Sequence, residues 1–164
     1  MTRHSARGAR VAARAPVAHE IRVSSDGVRA PLGRARVEAI AGLVLHAERS
    51  APAVVAITFV TEREIARLNR RHLGHAGPTD IVTFEHAPGG AVPVVGDIYI
   101  APRVAGANAR TYGVGVREET ARLVIHGVLH TLGREHPDGA PRTRSPMWRR
   151  QEALLRRAIR AGLV

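Results

Sequence analysis

The chain of 164 residues contains no cysteine, which excludes disulfides and thiolate metal sites and removes any need for an oxidising compartment. A bound metal would have to sit on imidazole, carboxylate or water. Aromatic residues are scarce, with two Phe, two Tyr and one Trp, so Val, Leu, Ile and Ala must carry the packing. No apolar run approaches the roughly 18–20 residues that span a bilayer. The N-terminal stretch is basic and lacks the apolar segment of a secretory signal. The expectation is a cytoplasmic protein with no membrane partner.

Lysine is also absent, and all 25 basic residues are arginine. The formal charge of +11 attracts polyanions and speeds their encounter. Guanidinium groups pair bidentately with phosphates and stack on bases. A genome-wide preference for arginine would explain the choice of residue, but less well the surplus. Nucleic acid is therefore the expected partner, and a basic enzyme unrelated to nucleic acid is the alternative.

The length suits one domain with a real core. Residues 1–18, rich in Arg and Ala without a period, read as a flexible basic extension. Residues 19–164 read as a single metallohydrolase domain. Glu20 to Val23 predicts a short first strand, and Asp26-Gly27 a turn. Val37, Ile40, Ala41, Val44 and Leu45 recur at helical spacing between Gly33 and Glu48. Ala53 to Val60 is β-prone. Thr61 with Glu64 three residues later is a capping-box pattern, opening a helix that should fray near Leu73-Gly74. Asp80 to Phe84 is strand-like. Val94 to Ile100 is another strand, interrupted by Gly96-Asp97. Pro102 suits the first turn of a helix running to Tyr112-Gly113. Arg117 to Leu132 is the clearest long helix, apolar over most of its circumference, and Gly133 is placed to end it. A last helix runs from about Pro146 to Ile159. The order predicts an α+β fold, a small mixed β-sheet packed with helices and a metal-binding helix in the core.

The segment His126-Gly127-Val128-Leu129-His130-Thr131-Leu132-Gly133-Arg134-Glu135-His136 carries the chemistry. Residues four apart share a helix face, about 5–6 Å between Cβ atoms. Two imidazoles so placed reach one ion at about 2.0–2.1 Å. An unbroken helix would carry position 136 too far along its axis, and Gly133 lets the chain turn back. Three neutral nitrogens leave a fourth position for water, whose pKa a zinc ion lowers towards about 7. The expected cofactor is one zinc ion per chain on His126, His130 and His136. The catalytic group would be metal-bound water, with no protein general base assigned. His4, His19, His46, His72 and His86 read as ordinary hydrogen-bonded histidines. The spacing is that of a zinc protease, but Gly127 replaces the glutamate that would serve as base. Gly127 is also expected to leave room for a bulky substrate beside the metal.

At these residues the chain resembles the YbeY family of bacterial endoribonucleases and rRNA maturation factors, over roughly residues 53–160. Leu68-Asn69-Arg70, the run Pro78 to Phe84, Gly96-Asp97-Ile98-Tyr99-Ile100, and Met147 with Gln151-Glu152 support the histidine segment in order and spacing. The resemblance implies a single-strand-specific, metal-dependent endoribonuclease acting on 16S rRNA 3′ ends and in late ribosome quality control. It also implies partners in the small ribosomal subunit and among ribosomal or GTPase assembly proteins. Three departures stand out. Leu73 occupies the place of the family's arginine, with Arg70, Arg71 or His75 as candidate replacements at the substrate. Arg134-Glu135 replaces Tyr-Asp before the third histidine, making Arg134 a further substrate candidate, and Pro137 to Pro146 keeps only Asp138 of an acidic stretch. Asp80 and Asp97 are candidates for orienting a ligand imidazole, or else turn caps. The rival readings are a non-nucleolytic ribosome-binding factor with a structural metal, and a metallohydrolase of another phosphate or peptide. Water and a ribose 2′-OH both remain open as the nucleophile.

Overall fold

The computed structural model describes residues 18–74, 76–86, 93–137 and 143–164, with Leu73 described by its backbone only. The basic extension, His75 and Asp138 therefore lie outside the described residues, apart from Ala18 at the extension's end. The elements in order are β1 (His19–Ser25), α1 (Arg34–Ala47), β2 (Ala53–Phe59), α2 (Glu62–Leu68), β3 (Ile81–Glu85), β4 (Val94–Ile100), α3 (Pro102–Tyr112), α4 (Val116–Thr131) and α5 (Pro146–Arg160). Between α2 and β3 the helix ends in a π-type turn, Asn69–Leu73, which stops at Gly74 in the left-handed conformation.

The four strands form one mixed sheet in the order β1-β2-β4-β3. β1 and β4 each pair parallel to β2, while β3 runs antiparallel to β4 along the other edge. The expected α+β architecture is what forms. β1 extends past both expected ends, because every residue from His19 to Ser25 has a partner from Ala53 to Phe59.

Strand parity divides the sheet into two faces. Ile98 and Ile100 of β4, with Val55, Ile57 and Phe59 of β2, join the main core formed with α1, α4 and α5. On the opposite face, Val82 joins Val60, Ile65 and Ala101, with Phe84, Tyr99 and Val104 packed around them. Helix α4 is buried along most of its length, with α1, α3 and α5 against it and the sheet beneath.

Two glycines set how closely α4 approaches the sheet. A Cβ on Gly96 would stand 2.3 Å from Thr131 Cγ2, and one on Gly127 2.7 Å from Ile98 Cγ2. These facts correct two expectations. β4 is continuous through Gly96-Asp97, and Gly96 serves contact with the helix rather than a break. Gly127 faces Ile98 and Ile81 of the sheet, so the missing side chain admits the sheet and leaves no room for substrate. Gly127→Ala should therefore destabilise the protein. Overpacking of about 1–3 kcal/mol outweighs the roughly 1 kcal/mol gained in helix propensity, because β-branched Ile98 cannot easily swing away. The expected net loss, up to about 2 kcal/mol from those two terms, is read as a lower urea midpoint at unchanged slope.

Thr61 caps α2 as expected, its Oγ1 accepting from the Glu64 amide at 3.2 Å. The Glu64 carboxylate pairs with Arg67. Ser145 caps α5 in the same way, accepting from the Trp148 amide at 3.1 Å.

Candidate metal centre

His126 and His130 stand one turn apart on α4, and the chain then reverses. Gly133 takes φ +72°. Its amide donates to the His130 carbonyl at 2.9 Å, and the Arg134 amide donates to the Leu129 carbonyl at 3.0 Å. This is the Schellman pattern, which satisfies the last helical carbonyls and needs a residue tolerant of positive φ. Beyond it, His136 folds back towards the other two rings. The ring centroids of His126 and His136 lie 5.3 Å apart, and those of His130 and His136 5.1 Å.

One ligand atom from each of the three histidines falls within 4.8 Å of the others. The Nε2 atoms of His126 and His130 are 3.1 Å apart. Nitrogens bound tetrahedrally to zinc at about 2.0–2.1 Å lie about 3.3 Å apart, so this pair matches the requirement. His126 is 6% exposed, and the other two are half-buried, so the group opens to solvent on one side.

Hydrogen bonds on the far side of the rings select the tautomer. His126 Nδ1 lies 2.8 Å from Gln151 Oε1. The Gln151 amide nitrogen donates to Glu152 Oε1 at 3.2 Å, and a carboxylate can only accept. The Gln151 oxygen therefore faces the imidazole, Nδ1 carries the proton, and Nε2 presents its lone pair to the cluster. His136 Nδ1 lies 3.2 Å from the Pro137 carbonyl, which selects the same tautomer there. Glu135 approaches His130 Nδ1 at 3.7 Å.

Behind Gln151 lies a network of charges. Glu152 accepts from Arg122 Nε at 2.9 Å, and Arg122 also reaches Glu118 at 3.0 Å and Glu119 at short range. Burial works against the Arg122 charge, and the bonds to Glu152 and Glu119 overcome it, holding its pKa above the usual arginine value. Gln151→Leu should keep the fold, since position 151 faces the core beside Leu154 and Leu155. The affinity of the three histidines for a metal ion, with zinc as the probe, should fall about 10–100-fold, the usual effect of losing an outer partner of a ligand histidine. A chelator-competition titration measures it, and an unchanged affinity would remove Gln151 from the site.

The other candidates fall in different places. Asp80 lines a cavity that His126 also lines. Its carboxylate accepts from Asn108 Nδ2 at 2.9 Å and from Thr79 Oγ1 at 3.3 Å. Asp97 corrects the expectation for it. It alternates with Gly96 and Ile98, so it lies on the sheet face away from α4, where its carboxylate meets His86 Nε2 at 2.7 Å. Arg134 also differs from expectation. Its guanidinium binds Glu48 at 2.8 Å, and Arg150 binds the same carboxylate at 2.6 Å. Arg70 and Arg71 are exposed on the π-type turn, which Asn69 ties to the Gly77 carbonyl at 3.0 Å. Leu73 ends that turn. Gln151 is the site residue that sequence reasoning assigned no role. Its signal is a carboxamide on the face of α5 otherwise formed by Met147, Leu154, Leu155 and Ala158.

An α+β domain that offers three imidazoles to one point, two from a buried helix and one from the turn after it, has the architecture of a histidine-ligated metalloenzyme. The family model described as Endoribonuclease YbeY matches residues 28–158, and the chain belongs to that family. It is 33% identical over 120 residues to the endoribonuclease YbeY of Chlorobium phaeobacteroides, covering 73% of this chain and 84% of that one. With the protein of the same name from a Nocardioides species it shares 35% over 134 residues, 76% of this chain and 89% of that one. The solution structure of TM1509 from Thermotoga maritima superposes with a TM-score of 0.59 at 26% identity, covering 84% of this chain and 88% of that one.

Proposed function

We propose that this protein is a zinc-dependent, single-strand-specific endoribonuclease that acts in the cytoplasm on the 3′ end of 16S rRNA and in late quality control of the small ribosomal subunit. Ribosomal and GTPase assembly proteins are its proposed partners. The observation that carries the reading is the set of three ring nitrogens within 4.8 Å of one another. The donor set fits zinc, being all imidazole, with protons held on the outer nitrogens of His126 and His136 by Gln151 and Pro137. His126, His130 and His136 would hold the ion, which supplies Lewis acidity towards a phosphoryl oxygen when bound.

The chain's own groups do the rest. Gln151 fixes the ring plane of His126, and the turn at Gly133 sets the approach of His136. The exposed guanidinium groups of Arg70 and Arg71 are proposed to hold phosphates of the strand, a charge-assisted contact that arginine makes bidentately. Among the described residues no helix is long and apolar enough to cross a membrane. The formal charge of +11 favours the encounter with RNA.

The test joins metal analysis to cleavage of a defined single-stranded RNA, with a matched His130→Ala protein. Zinc near one equivalent and cleavage only by the unaltered protein are expected. Equal cleavage by both would end the reading. A 2′-deoxy substitution at the scissile position separates the nucleophiles, since abolished cleavage means attack by the 2′-OH and retained cleavage means water.

A further inference from the structure

We propose that the cavity beside His126 is a pocket for one unpaired nucleobase of the bound strand. The proposal rests on the reading of the protein as a ribonuclease and adds how that site recognises its substrate.

The cavity has a volume of about 380 Å³, within the usual range for small-molecule sites. It lies where α3, α4 and α5 meet the start of β3, and His126 forms part of its wall. Gln151, which orients the His126 ring, lines it as well, so a ligand lodged there lies against that ring. The chain has five aromatic residues, and two of them, Tyr112 and Trp148, stand on this cavity. The other three pack into the apolar clusters of the sheet. Tyr112 is 71% exposed, the most exposed of the large hydrophobic side chains among the described residues. It contributes little to the core and stands available for stacking.

The polar groups choose the chemistry. Asp80 and Asn108, bonded to each other at 2.9 Å, line the cavity with Gln151. Carboxylate and carboxamide groups match the amino and ring-nitrogen edges of a base. Asp80 and Glu119 on the wall oppose a phosphate, even with Arg122 beside them. The phosphates are thus left to the arginine surface and the metal, while the base enters the cavity. A base can enter only when it is out of a duplex stack. The pocket therefore gives the single-strand preference a physical cause: pairing withdraws the group that it takes.

The chain has a single tryptophan, so Trp148 reports on the pocket without a label. Zinc-loaded protein is titrated with the four nucleoside monophosphates, which an endonuclease cannot cut, and with ribose 5-phosphate and inorganic phosphate. Saturable quenching of Trp148 by nucleoside monophosphates is expected, with none from the two base-free compounds. Tyr112→Ala should weaken that binding about tenfold or more, the scale of one lost stacking contact, while Tyr112→Phe retains it. In the cleavage assay Tyr112→Ala should raise KM and leave kcat nearly unchanged. Equal quenching by ribose 5-phosphate, or unchanged binding in Tyr112→Ala, would overturn the pocket. Cleavage that persists without base binding refutes the pocket alone. Base binding without zinc-dependent cleavage supports the pocket and refutes the ribonuclease reading.

Discussion

His126→Ala is expected to abolish both zinc retention and RNA cleavage while leaving a folded protein. His126 is the most buried of the three histidines, and its Nε2 lies 3.1 Å from that of His130. Removing it leaves two imidazoles, too few to compete with water for the ion. The fall in zinc affinity should exceed the roughly 10–100-fold expected when only an outer partner is lost. The fold survives because α4 is held by Val124, Ile125, Val128 and Leu129, all fully buried. Zinc content after gel filtration, cleavage of single-stranded RNA and far-UV circular dichroism together check it. A variant that keeps zinc at one equivalent would show that the cluster is not the metal site.

Arg122→Met is expected to give the largest loss of stability. The guanidinium serves Glu118, Glu119 and Glu152, with side-chain exposures of 33%, 7% and 23%. Glu118 can turn to water when its partner is gone, but Glu119 cannot. Breaking a buried ion pair on one side usually costs about 3–5 kcal/mol, because a desolvated charge is left uncompensated. At about 2–4 °C per kcal/mol for a protein of this size, Tm should fall by roughly 6–20 °C. Zinc affinity should fall too, since Arg122 holds Glu152 and Glu152 holds the Gln151 amide. Arg122→Lys should recover only part of the loss, because one ammonium cannot serve three carboxylates in a planar fork. A Tm within about 2 °C of the parent, less than 1 kcal/mol at this size, would contradict the argument.

Much of the site could be read before the fold was known, for reasons local to the chain. The spacing of His126 and His130 depends only on helical geometry, and the return of His136 depends on one residue tolerant of positive φ. Thr61 and Pro102 mark helix starts by chemistry that acts within four residues. What could not be read depends on how distant elements meet. Asp97 alternates with Gly96 and Ile98, but which of the two faces receives α4 follows only from packing. Gly127 lies on the helix next to a ligand, yet it points at Ile98 from β4, a partner nearly thirty positions away. Gln151 is visible as a polar residue on an apolar face, while its bond to His126 spans two helices. Arg134 looked free to bind substrate, because nothing local reveals Glu48 at the end of α1. The cavity between α3, α4 and α5 has no signature in any one segment.

The Glu48 clamp bears on how an ion is captured. Its carboxylate, with the side chain 6% exposed, grips Arg134 two positions before His136 and anchors Arg150 on α5 through its other oxygen. The third imidazole is thus on a short leash rather than at the end of a free tail. Less chain entropy remains to be lost when the ring closes on its ion, so more of the coordination energy appears as affinity. A carboxylate on the far side of the turn thereby helps determine how firmly the protein keeps its metal, without ever meeting it.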